Sequence, residues 1–184
     1  MKRRHQDFPL SSLFLVIAVT CMFLAAGCTD TAPALSGNIR DDAWKTIELE
    51  EVRTGERFSV GSFAGTPVIL YAFTVSCPIC TRQQQEMTAL KKSLGDDVVL
   101  IGIDIDPREE KATLIAHIEK NGFAGYYALS PDEMTSSLVD RFGPVVVTPA
   151  SAPVMVVCRN GDARLLDTGI KSTSSLASSL KAVC

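Results

Sequence analysis

The chain has 184 residues, 46% hydrophobic and 21% charged, enough for one ordinary globular domain. Its first 27 residues carry Lys2, Arg3, Arg4 and Asp7, which leaves 15 basic and 20 acidic groups beyond them, a net of −5. An acidic body with no basic stripe argues against nucleic acid as a partner, and the composition excludes a disordered chain, a collagen-like repeat and a polytopic membrane protein.

Residues Met1 to Gly27 read as an export signal: a basic start, then the apolar run Leu13 to Ala26, then small residues. Fourteen residues of helix span about 21 Å, short of a hydrocarbon core of about 30 Å. Leu24-Ala25-Ala26-Gly27-Cys28 resembles the lipobox of bacterial lipoproteins, which implies cleavage before Cys28 and lipidation of that cysteine. An uncleaved signal anchor fits the same residues, and either state puts the domain outside the cytoplasm, anchored to the cell membrane. Residues 28–40 lack hydrophobic periodicity and contain Pro, Gly, Ser and Asn, as a flexible tether does. The folded domain is expected over 41–184.

Within it, Ile47 to Val52 and Arg57 to Val60 alternate around Thr54-Gly55 and predict an N-terminal β-hairpin. Val68 to Phe73 is apolar throughout, the pattern of a strand buried on both faces. A helix with Ile79, Met87, Leu90 and Leu94 on one side ends at Gly95. Val98 to Ile103 is a second buried strand. Asp106-Pro107-Arg108-Glu109 predicts a helix start with Asp106 as N-cap, and Ser130-Pro131-Asp132-Glu133 repeats the signal. Val154 to Val157 and Ala163 to Asp167 flank the turn Arg159 to Asp162, and Leu176, Leu180 and Val183 mark a closing helix. Two buried strands joined by a helix imply a parallel pair with a right-handed crossover. The expected class is α/β, with a central mixed sheet and helices on both faces.

Cys77-Pro78-Ile79-Cys80 sits where the first buried strand gives way to a helix. Spacing of three at a helix start puts both sulfurs on one side. The first cysteine faces unpaired N–H groups and the positive end of the helix dipole, which favour its thiolate; cysteines so placed have pKa values of roughly 3.5–7.5 against about 8.5 for a free thiol. Pro78 costs no intrahelical hydrogen bond in the first turn. A zinc site needs a second ligand pair, and Cys158 and Cys184 are far apart with no helpful histidine. A purely structural bridge across two residues closes too small a loop to stabilise much. Redox or redox-linked metal chemistry is what the motif favours.

The run Phe63 to Cys80, with Val98 to Pro107 (VVLIGIDIDP) and Ala152 to Gly161, resembles extracytoplasmic thioredoxin-like proteins of the TlpA type, a similarity spanning most of Ile47 to Leu180. The resemblance implies a thioredoxin-like fold and thiol–disulfide exchange. Cys77 would attack a partner disulfide and Cys80 would resolve it, in the reducing direction and without a dissociable cofactor. It implies exported disulfide-containing proteins, apocytochrome among them, as partners and a membrane thiol carrier as electron donor. In that family a cis-proline opposes the cysteines and its neighbour offers backbone to substrate; Pro153, with Ala152, matches that place, and Pro149 is the second choice. Ser76 stands where an aromatic is common, Tyr71 where thioredoxins carry a buried acid, and Gly143 to Pro153 (GPVVVTPASAP) is longer than usual.

Two families of the same fold give alternatives. SCO-type copper chaperones use three residues between their cysteines and a distant histidine; here the domain's one histidine, His117, is expected on the outer, solvated face of its helix. Peroxiredoxins place Thr three residues before the cysteine, as Thr74 stands to Cys77, but need Pro four residues earlier, where Leu70 stands. Cys158 is expected in the core and Cys184 exposed, and a disulfide between them is open outside the cytoplasm. Asp106 is read as a helix cap rather than half of a metal pair with Asp104, Arg82 as solvated and Trp44 as packing.

Overall fold

The computed structural model describes residues 42–184; the export signal, Cys28 and the tether lie outside the described residues. The domain is organised by strand β3, Val68–Phe73, all six residues of which are buried. β4 (Val99–Asp104) pairs with it in parallel, Val68 against Val99 through Phe73 against Asp104. β5 (Tyr126–Leu129) extends the parallel set. On the other side β6 (Val154–Val157) and β7 (Ala163–Leu165) run antiparallel, so the order is β5-β4-β3-β6-β7. This is the thioredoxin-like α/β arrangement with a central mixed sheet.

Side chains of β3 alternate between two cores. Ile69, Tyr71 and Phe73 meet Met87 and Leu90 of α1 (Pro78–Leu94), Leu114 and Ile118 of α2 (Lys111–Asn121), and Leu176 and Leu180 of α4 (Thr173–Val183). Val68, Leu70 and Ala72 meet Trp44, Phe58, and Met134 and Leu138 of α3 (Asp132–Phe142). Helices thus cover both faces, three on one and one on the other. A strand read by period two, with both sets apolar, has no other stable place than between two layers. Among the described residues no helix is long and apolar enough to cross a membrane.

Three features differ in detail from the sequence reading. The N-terminal hairpin is present but short: β1 (Leu49–Glu50) and β2 (Arg57–Phe58) pair over two residues each. Buried Glu51 ends β1 by accepting the N–H groups of Arg53 and Thr54 and the Arg53 guanidinium, and Val60–Phe63 is a 3₁₀ turn. The helix expected from Asp106 starts at Lys111; Asp106 instead closes a turn, its carboxylate accepting the N–H of Arg108 and its carbonyl that of Glu109. β5 carries no alternation and was not expected as a strand. Its Tyr127 is fully buried, and the Tyr71 hydroxyl donates to the Tyr127 hydroxyl at 2.7 Å. Burial, and then the neighbouring Tyr127 phenol, raise the Tyr71 pKa well above its ordinary value. Gly102 makes room for the pair: a Cβ there would lie 2.8 Å from the Tyr127 ring and 2.9 Å from the Tyr71 hydroxyl oxygen. Gly102→Ala is expected to destabilise the domain by about 1–3 kcal/mol, read from urea unfolding.

Cys158, at the end of β6, is bonded to Cys184 beyond α4, with Cα atoms 5.1 Å apart, inside the range a disulfide needs. The bridge holds α4 to the sheet. It closes a separation of 26 residues, for which chain entropy gives about 3.5 kcal/mol. The double variant Cys158→Ser/Cys184→Ser is expected to lose about that much in the same unfolding measurement.

Candidate active site

β3 stops at Phe73 because Thr74 to Ser76 turn the chain out of the sheet. The turn is closed by the Cys77 N–H donating to the Thr74 carbonyl at 3.1 Å. It is held from the neighbouring strand by Asp104, whose carboxyl accepts the N–H of Val75 at 3.1 Å and that of Asp106 at 2.9 Å. Cys77 is then the N-cap of α1, extended at φ −92° and ψ 110°, with Pro78 in the first turn. Its sulfur accepts the N–H of Cys80 at 3.2 Å, the place an N-cap oxygen normally fills. A negative sulfur here gains a donor and the positive end of a 17-residue helix.

Cys77 and Cys80 are disulfide-bonded, Cα atoms 5.2 Å apart. Cys77 is half-buried and Cys80 only 2% exposed. Of the two cysteines, Cys77 is the one that solvent reaches. Cys80 faces inward, its sulfur 3.3 Å from the carbonyl oxygen of Pro149. That carbonyl belongs to the long segment noted from the sequence, folded as two 3₁₀ turns, Pro144–Val147 and Pro149–Ser151.

The expected cis-proline is not found: no peptide bond among the described residues is cis, and the Ala152–Pro153 bond is trans. The second 3₁₀ turn ends with Ala152 in the left-handed region, φ 49° and ψ 61°, and it is this residue that redirects the chain into β6. Both Ala152 and Pro153 are buried. The Ala152 N–H donates to the Pro149 carbonyl at 2.8 Å, and its own carbonyl accepts from the Lys171 ammonium at 2.5 Å. Its backbone is thus engaged within the loop, and Pro149, the second choice, is the proline whose carbonyl touches Cys80.

His117 is also corrected. It is half-buried rather than solvated, stacked on Phe73 with ring centroids 6.3 Å apart and edge-on to Phe123 at 5.3 Å. Its Nε2 lies 2.9 Å from Gln84 Oε1. Burial lowers its pKa below the ordinary histidine value. Among the described residues no three His, Cys, Asp or Glu side chains are grouped to hold a metal ion. Arg82 is exposed, and Trp44 packs edge-on against Phe142.

The sequence reading names neither Gln83 nor Lys171, and it considers Asp104 only as half of a metal pair. Asp104 had a usable signal, since an acid ending a buried strand beside the end of β3 must find donors. Gln83 had a weaker one, a polar residue one turn beyond Cys80 on its buried side; it accepts the Lys171 N–H at 2.7 Å and donates to the Lys171 carbonyl at 3.1 Å. Lys171 had none.

Burial lifts the Asp104 pKa from 3.8 to about 6, against the pull of its two N–H donors. A carboxyl whose folded pKa is raised binds its proton more tightly folded than unfolded. Between pH about 4 and 6 the domain therefore loses stability as pH rises, and the cost is fully present above that window, about 2–3 kcal/mol. Asp104→Asn is expected to remove this slope from the pH dependence of unfolding; an unchanged slope would assign it to other groups.

A thioredoxin-like domain with a disulfide-bonded cysteine pair at a helix N-terminus is the class that this geometry defines. The chain belongs to the AhpC/TSA family, whose model matches residues 29–145. No curated protein matches the sequence. Among solved structures, a thiol:disulfide interchange protein of the thioredoxin family from Chlorobium tepidum aligns with a TM-score of 0.64 and 17% identity, over 74% of this chain and 91% of that one. A secreted disulfide oxidoreductase of Mycobacterium tuberculosis aligns at 0.62 and 16%, over 77% and 98%, and StoA of Bacillus subtilis at 0.54 and 16%, over 71% and 92%. At these identities the likeness shows the fold.

Proposed function

We propose that the protein is an extracytoplasmic thiol–disulfide oxidoreductase of the TlpA type, acting through Cys77 and Cys80. The observation that carries this is the asymmetry of the pair: a half-exposed sulfur facing an N–H donor and a helix N-terminus, bonded to a sulfur sealed beneath it. Solved structures of the same fold that are described as disulfide oxidoreductases or interchange proteins support the reading.

In the reducing direction, the Cys77 thiolate attacks one sulfur of a client disulfide. The client S–S bond breaks, its second sulfur leaves as a thiolate and takes a proton, and a mixed disulfide remains. Cys80 loses its proton and attacks Cys77 Sγ. The mixed bond breaks, and the client departs as a dithiol with the two electrons while Cys77–Cys80 is oxidised. A second thiol pair, supplied by a membrane thiol carrier, restores the dithiol by the same steps reversed.

Clients are exported proteins with disulfides, apocytochrome included. They meet Cys77 beside the rim of the loop that Ala152 and Pro153 anchor, where Thr148 and Ala150 are exposed and Val147 is 41% exposed. Cys28 carries the lipid that holds the domain at the membrane.

Membership of the AhpC/TSA family favours a second reading, peroxide reduction by the same thiolate, with Thr74 in its place. Against it, Leu70 stands where the peroxidase pattern needs proline and is fully buried in β3.

The reading is tested by trapping. Cys80→Ser is expected to accumulate mixed disulfides through Cys77, and Cys77→Ser to accumulate none; dithiol protein is expected to consume hydrogen peroxide slowly. Failure of both variants to capture a client, with no exchange with glutathione, rejects the oxidoreductase. Tight stoichiometric copper binding in that case favours a metal chaperone.

A further inference from the structure

Lys171 is 8% exposed, yet among the described residues no carboxylate forms an ion pair with its ammonium; the group donates to the Ala152 carbonyl at 2.5 Å. Its backbone is clamped on both sides by Gln83, one turn beyond Cys80 on α1. Two residues earlier, the Gly169 N–H donates to the Ser151 carbonyl at 2.8 Å. The segment 169–171 is thus laced to the 3₁₀ loop at Ser151 and Ala152 and to the catalytic helix at Gln83.

The residue it grips is strained. Ala152 is the one non-glycine among the described residues with positive φ, a region that disfavours an L side chain. That conformation turns the Ala152 N–H onto the Pro149 carbonyl, the same oxygen that lies 3.3 Å from Cys80 Sγ. The carbonyl treats the two redox states differently. A Cys80 thiol donates S–H to it, a thiolate is repelled by its lone pairs, and a disulfide sulfur has no hydrogen to give.

We propose that Lys171 is a positioning residue for thiol–disulfide exchange: by holding Ala152 in its left-handed turn it keeps the Pro149 carbonyl against Cys80, stabilising the Cys80 thiol and, with it, the dithiol state. The inference rests on the oxidoreductase reading and adds to it a residue that sets the balance between dithiol and disulfide. Burial lowers the Lys171 pKa to about 8, with Asp167 the opposing charge. This cation is held where solvent would not choose to put it, as expected of a group retained for what it holds in place.

The test uses the equilibrium of the whole domain with glutathione. Lys171→Met is expected to shift that equilibrium about three- to tenfold toward the disulfide, roughly 15–30 mV for a two-electron couple. In a Cys77→Ser background it is expected to lower the Cys80 pKa, followed by thiolate absorbance. A cation acting through space would do the reverse to Cys80, because its removal disfavours the thiolate. Adding Ala152→Gly, which makes the left-handed turn free of strain, is expected to return Lys171→Met toward wild type.

An unchanged glutathione equilibrium, or a raised Cys80 pKa, overturns the proposal. Should Lys171→Met not fold, Gln83→Leu releases the Lys171 backbone and is expected to shift the equilibrium in the same direction; no shift overturns the proposal equally. Wild-type protein that fails to exchange with glutathione removes the oxidoreductase reading and this inference together, whereas normal exchange with inert variants removes this inference alone.

Discussion

The sulfur of Cys77 has to sit where the helix dipole and the Cys80 N–H meet it, and the place is set by how β3 ends. A strand buried on both faces cannot drift, because each of its six side chains is fixed in one of two cores. Its end is held by Asp104 of the neighbouring strand, which takes the Val75 N–H two residues before the cysteine. The position of that sulfur is inherited from the sheet through a turn of three residues. A shift of β3 by one residue would exchange the two faces and carry Cys77 away from the helix mouth.

The site is lopsided in its bracing. Cys77 takes its bonds from its own turn and helix, with long-range support only at the turn, through Asp104. Cys80 is supported from a distance: the Pro149 carbonyl arrives from a loop 69 residues on, and that loop is secured by a lysine later still. The more exposed sulfur is therefore held largely by local structure and the buried sulfur by tertiary structure.

Buried polar groups cluster around the cysteines. Asp104, Gln83, Gln84 and Lys171 are each less than 9% exposed, and each costs desolvation that apolar residues would not. Their bonds hold backbone in place: Asp104 the turn into the motif, Gln83 the segment before α4, Lys171 the strained alanine. Gln84 is the exception, holding the imidazole of His117 beneath α1. At the far end of β6, the Cys158–Cys184 bridge does by covalent means what a small domain's core does less well, tying down a terminal helix.

The sequence by itself determined the class of fold, the two central strands, the helix that follows the cysteines, the β6–β7 hairpin and the place of the cysteine pair at the head of that helix. These are patterns of period two, period 3.6 and fixed spacing, which record local geometry and burial. It was silent on β5, whose four residues carry no alternation because the sheet buries them by position, and it misplaced the start of α2 because Asp106 serves a turn as readily as a helix. Tertiary structure alone decided the trans bond at Pro153, the packing of His117 against Phe73, and the meeting of Lys171, Ala152, Pro149 and Cys80. Those contacts join residues far apart in the chain through backbone carbonyls, which every residue possesses and no side-chain pattern announces.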